Sequence, residues 1–117
     1  MAEKGPVFIQ EMRDISELEK STCMFQVKIS GEKPITVKWS DEDGPLKLDD
    51  VHFDVEEDEE EGIYRLSIIE IDYENHSGVY TCEATNKHGK TISEATLFVE
   101  EMPDQAKHLV DKVEHNE

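Results

Sequence analysis

Apolar and polar residues alternate along most of the chain with a period of two, and turn-forming residues interrupt the alternation roughly every eight to twelve positions. That period puts successive side chains on opposite faces of a strand, so the chain is predicted to be all-β. The clearest run is residues 23–29, where Cys23, Phe25, Val27 and Ile29 alternate with Met24, Gln26 and Lys28 before Ser30-Gly31 ends the strand. Upstream, Pro6-Val7-Phe8-Ile9 reads as an edge strand, where a residue without an N–H is tolerated, and Ile15 to Leu18 as its continuation.

After the loop Glu32-Lys33-Pro34, residues Ile35, Val37 and Trp39 share one face of a segment that Asp43-Gly44-Pro45 breaks. Val51, Phe53 and Val55 begin another alternating run. Glu61-Gly62 turns it into residues 63–69, with Leu66 and Ile68 inward and Ile71 in the following corner. The last hairpin joins Val79–Thr85 to Thr91–Val99 through Asn86-Lys87-His88-Gly89, where Gly89 is expected to supply a positive φ. Short strands at this spacing predict two packed sheets, a sandwich ending near Glu100.

From Pro103 the period changes. Ala106, Leu109, Val110 and Val113 recur at helical spacing with Asp104 placed to cap them, but so short a helix is marginal alone. The expected organisation is an extension at residues 1–5, one domain at residues 6–100, and an acidic, amphipathic tail or linker at residues 101–117. The tail's apolar stripe could alternatively meet a neighbouring domain or target protein.

Charge narrows the classes of partner. With 29 acidic against 12 basic residues the net charge is −17, which opposes contact with nucleic acid or an anionic membrane surface. No apolar run approaches the roughly 18 residues of a membrane-spanning helix, and Met1-Ala2-Glu3-Lys4-Gly5-Pro6 does not read as a secretory signal, so a soluble chain is expected. Much of the charge lies in Asp54, Glu56, Glu57, Asp58, Glu59, Glu60 and Glu61. The plain reading is a solvated hairpin rim that keeps the domain soluble and monomeric. The sharper one makes those seven residues a docking patch for a basic partner or a weak calcium site. An EF-hand is not expected, because Asp41-Glu42-Asp43-Gly44 would need its first ligand at Trp39.

Catalysis is not expected. His52, His76, His88, His108 and His115 are scattered, neither Cys is spaced with a His as nucleophile and base, and two Cys alone make no zinc site. No cofactor, metal or small-molecule substrate is predicted.

Gly78-Val79-Tyr80-Thr81-Cys82 resembles the sixth strand of immunoglobulin domains, where the Tyr hydroxyl bonds back across a corner. Trp39 on the third strand, Leu66-Ser67-Ile68 on the fifth and Ala84-Thr85-Asn86-Lys87-His88-Gly89 at the final hairpin extend the likeness. Residues 6–100 resemble an intermediate-set immunoglobulin domain of the intracellular muscle type, as in telokin, myosin light chain kinase, titin and twitchin. His52-Phe53-Asp54-Val55 running into an acidic turn is most similar to telokin. The resemblance implies an antiparallel Greek-key sandwich with Trp39, Val27, Cys82, Tyr80, Leu66, Ile68, Phe25 and Cys23 in the core. It further implies a protein-interaction or spacer module whose partners are myosin- or actin-associated proteins or neighbouring domains of the same chain. His76 departs from the family, which usually carries Asp there; Asn75 or Ser77 is expected to satisfy the backbone groups instead.

The resemblance also bears on the cysteines. In that family the second-strand Cys lies about a dozen residues before the Trp, and here that residue is Val27; Gly31 confirms the register eight before Trp39. Cys23 lies four residues away, about 13 Å along a strand, whereas bridged Cα atoms lie within roughly 7 Å. Two unpaired thiols are expected, which suits the reducing cytoplasm. The sequon Asn75-His76-Ser77 supports the alternative, an extracellular adhesion module.

Overall fold

A computed structural model describes residues 5–101, so most of the residue 1–5 extension and the expected Asp104–Val113 segment lie outside the described residues. Two sheets form the sandwich. One contains β1 (Val7–Gln10), β3 (Cys23–Ser30), β7 (Ile63–Ile68) and β6 (Phe53–Asp58), in the order β1-β3-β7-β6. The other contains β2 (Ile15–Leu18), β9 (Gly89–Glu100), β8 (Gly78–Asn86), β4 (Thr36–Asp41) and β5 (Gly44–Pro45), in the order β2-β9-β8-β4-β5. Every pairing is antiparallel except β2 with β9.

Residues 15–18 therefore do not continue the β1 edge, as the alternation implied; they cross to the opposite sheet. Met12 makes the crossing possible. Its side chain is buried in the core, and its N–H donates to the buried Ser93 hydroxyl at 3.0 Å, so the chain passes between sheets without an orphaned donor.

The inward faces follow the period of two. Cys23, Phe25, Val27 and Ile29 of β3 meet Tyr64, Leu66 and Ile68 of β7, and Trp39, Tyr80, Cys82, Ala84, Ala95, Leu97 and Val99 come from the other sheet. Full burial of a Val, Leu, Ile or Phe side chain stabilises by about 1.5 to 3 kcal/mol. Two such residues match the about 2 to 4 kcal/mol of a typical disulfide, so this core holds the sheets together without a staple. The Trp39 Nε1–H is buried with no acceptor among the described residues.

Three local expectations are corrected. Val51 is 82% exposed and precedes the strand, because Asp50 accepts the Phe53 N–H at its carbonyl and the His52 N–H at Oδ1, curling residues 50–53 into a turn. Gly44-Pro45 does not simply end β4; it folds back on it, pairing Asp41 with Gly44 and Ser40 with Pro45. Gly89 is absent from the positive-φ residues, and the final hairpin is held by Asn86, whose Oδ1 accepts the His88 N–H at 2.8 Å.

The β7–β8 corner brings a fourth. The one-turn helix α1 (Tyr73–His76) is capped by Asp72, whose carboxylate accepts the Asn75 N–H. In return His76, and not Asn75 or Ser77, accepts the Asp72 N–H at Nδ1, 2.8 Å away. The Asn75 amide is engaged with the Asp72 carboxylate, and the Ser77 hydroxyl donates to the Tyr73 carbonyl. The Tyr80 hydroxyl closes the corner by donating to the His76 carbonyl at 2.6 Å.

Candidate interaction surface

The acidic run is an edge. β6 is the last strand of its sheet, and its hairpin with β7 carries Asp54, Glu56, Glu57, Asp58, Glu59, Glu60 and Glu61, all exposed. The turn that projects them is tightly fixed. Gly62 adopts φ +72°, its N–H donates to the Asp58 carbonyl at 2.8 Å, and Asp58 Oδ1 accepts the Glu61 N–H at 3.2 Å. The Gly62 carbonyl in turn accepts the Ile29 N–H at 2.8 Å, tying the rim to β3.

A shallow concavity at the rim is lined by Glu56, Glu57, Asp58, Glu59, Glu60 and Arg65. Arg65 lies opposite Glu56 in the β6–β7 register, 3.6 Å from its carboxylate, while its Nε donates to Gln26 Oε1 at 2.8 Å. This exposed pair contributes little to stability; it orients one guanidinium within a field of carboxylates. Arg65 was not among the residues the sequence singled out, although counting back across the Gly62 turn pairs it with Glu56. Burial pushes the Tyr64 hydroxyl up, with Glu57, Glu59 and Asp58 adding to it, so the rim's field reaches the first buried ring of β7. Charge along the β6 edge disfavours strand addition there.

The other singled-out residues are far from such a role. Trp39, Val27, Cys82, Tyr80, Leu66, Ile68, Phe25 and Cys23 are all buried. Both thiols are free, and burial pushes Cys23 up to about 11 and Cys82 up to about 12, where neither is a nucleophile or ligand. Among the described residues no three His, Cys, Asp or Glu side chains gather to hold a metal ion. No described helix is long and apolar enough to cross a membrane. At the opposite end of the β6–β7 strand pair, the rings of His52 and His76 meet with centroids 5.2 Å apart and planes tilted by 47°, a pairing between a strand approach and a corner that no local pattern announces.

Residues 6–99 match the model of the immunoglobulin I-set domain. Over 96 residues the chain is 33% identical to the muscle M-line assembly protein unc-89 of Caenorhabditis elegans, covering 82% of this chain and 1% of that protein. Over 101 residues it is 30% identical to the smooth muscle myosin light chain kinase of Gallus gallus, covering 86% of this chain and 5% of the kinase. Among solved structures, the titin z1z2 domains in complex with telethonin superpose with a TM-score of 0.78 at 28% identity, over 87% of this chain and 51% of that one. The chain thus spans a small fraction of the curated relatives it matches.

Proposed function

The chain belongs to the immunoglobulin I-set family, and we propose that it is a non-catalytic protein-interaction and spacer module of a cytoskeletal, muscle-type polypeptide. The observation that carries this reading is the β6–β7 hairpin, which presents seven exposed carboxylates from β6 and from a turn tied to β3 by the Ile29 N–H. A predominantly acidic edge attracts and orients a Lys- or Arg-rich segment, raising the association rate more than the final affinity. Its partner is a basic stretch of a myosin- or actin-associated protein, or of a neighbouring domain in the same polypeptide. The titin domains solved with telethonin support a protein partner for this fold. The muscle proteins that this chain resembles over only 1% and 5% of their length support its role as one module among many. Two buried, unbridged thiols favour the cytoplasm over the extracellular alternative.

Co-sedimentation with actin filaments and with myosin filaments, at low and at physiological salt, tests the reading. The comparison is a variant with Asp54 and Asp58 changed to Asn and Glu56, Glu57, Glu59, Glu60 and Glu61 changed to Gln. Binding to one filament that weakens with salt and is lost in the variant is the expected outcome. Equal binding by both proteins rejects the rim, and binding by neither to either filament rejects that partner class.

A further inference from the structure

The β7–β8 corner holds a buried titratable group that the interaction surface does not use. His76 is only 6% exposed, and its ring makes three contacts that constrain its chemistry. Its Nδ1 accepts the Asp72 N–H at 2.8 Å, which requires a lone pair there and places the ring proton on Nε2. Its faces and edges meet His52, at 5.2 Å between centroids, and Phe53, edge-on at 5.9 Å. Its own carbonyl accepts a hydrogen bond from the Tyr80 hydroxyl at 2.6 Å, so displacement of His76 pulls directly on a buried side chain of β8.

We infer that His76 is a proton-sensitive latch for the β7–β8 corner: a proton taken up at Nδ1 ends the bond from the Asp72 N–H and opens the reciprocal cap of α1. An imidazolium carries N–H groups on both nitrogens, so Nδ1–H would point at the Asp72 N–H, donor against donor. The helix cap then loses its reciprocal half, and the partly buried Asp72 amide is left without that acceptor.

Charged groups face the ring from each element packed on it. His52 and Asp50 come from the approach to β6, Lys20 from the turn after β2, and Asp72 from the cap of α1 itself. Asp41, Asp43 and Lys47 of the β4–β5 region and Glu70 line the same groove, about 850 Å³ in volume, between the corner and residues 41–53. Within this set His52 has the carboxylate partner, its Nδ1 lying 2.9 Å from Asp50 Oδ1. Burial first, then the charge of His52, hold the His76 imidazole below the ordinary 6.5, against weaker opposite pulls from Asp72 and Asp50. A value lowered by folding means that the neutral latch stabilises fully above the unfolded value and that this stabilisation is lost as pH falls through the folded one.

The test follows the His76 Cε1 proton and the Asp72 amide by NMR in the whole chain, from above to below the free-histidine value of about 6.5. Three proteins are compared: wild type, His76→Asn, whose Oδ1 occupies the acceptor position without titrating, and His52→Gln, which removes the neighbouring charge. In wild type the Asp72 amide is expected to lose at least tenfold of its hydrogen-exchange protection, after correction for intrinsic rates, in step with His76 titration. In His52→Gln the same loss moves to higher pH, and in His76→Asn protection stays level. Unchanged Asp72 protection while His76 titrates, or an equal loss in His76→Asn, overturns the latch. Should His76→Asn fail to fold, the coincidence or separation of the two wild-type titrations still decides.

Discussion

The Phe25 ring of β3 meets the Tyr80 ring of β8 across the sandwich, with centroids 5.5 Å apart and planes tilted by 41°. That contact sets the register between the sheets. Both strands start at the same end of the sandwich, where the Ile71 N–H donates to the Ser21 carbonyl and Gly78 pairs with Leu97. Two residues further along each, Val27 is therefore level with Cys82, while Cys23 lies on the far side of the Phe25–Tyr80 layer.

A Val27→Cys substitution is accordingly expected to form a disulfide with Cys82 and leave Cys23 free. Closing so long a loop restricts the unfolded chain by about 4 kcal/mol in the entropic account, less whatever strain the bridge introduces. The wild type should show two thiols with a chromogenic disulfide reagent when denatured without reductant, and slow reaction of both when folded. Thiol counts and urea midpoints with and without reductant check this. A wild type with no titratable thiol in denaturant would mean that Cys23 and Cys82 are bridged, contrary to the register.

Gly62 is the position where glycine is indispensable to the candidate surface. Its φ of +72° disfavours any side chain, and a Cβ there would run into the Ile29 carbonyl oxygen, which is backbone and cannot swing aside. Gly62→Ala is expected to cost about 1 to 3 kcal/mol, by strain alone or by loss of the Ile29–Gly62 hydrogen bond as the turn shifts. Gly44→Ala provides the contrast, because its φ is also positive but nothing lies within 4 Å of the added carbon. Chemical denaturation of the two variants measures the difference. Equal losses would show that the backbone conformation alone, and not the approach to Ile29, makes Gly62 necessary.

What the sequence disclosed was whatever depends on period and on local turn chemistry. The alternation at Cys23, Phe25, Val27 and Ile29 reports its buried face directly, since each inward residue is its own evidence. The acidic rim was equally visible, because Asp54 to Glu61 lie on one hairpin and a hairpin keeps sequence neighbours together. The crossing at Met12 was not visible. One apolar residue between two short strands looks the same whether the chain continues along one sheet or changes sheets, and only Ser93, far along the chain, distinguishes the two. His76 was misjudged for a related reason. Asn75 and Ser77 have side chains suited to local backbone bonds, but Asp72 had already engaged Asn75, and the imidazole alone was oriented toward the open N–H.

At the end of the sandwich where β3 leaves and the β8–β9 hairpin turns, Glu32 forms a clamp whose pH dependence can be stated in advance. Its carboxylate takes the Lys87 ammonium at 2.8 Å and lies 2.9 Å from His88 Nε2, while its carbonyl accepts the Asn86 side chain at 3.0 Å. The bonds from Lys87 and then His88 hold the Glu32 carboxyl below its ordinary 4.5. A carboxyl lowered by folding stabilises above the unfolded value and ceases to do so as pH falls through the folded one. Glu32→Gln keeps the shape and the carbonyl bond but removes the charge. The urea midpoint of the wild type should exceed that of the variant at neutral pH, and the margin should close as pH falls below about 5. Asp50, lowered by its bonds from His52, shifts both proteins alike and cancels in the difference. Salt should narrow the margin at neutral pH, since the clamp is exposed. A margin that persists unchanged into strong acid would assign the clamp to the geometry of the Glu32 side chain and not to its charge.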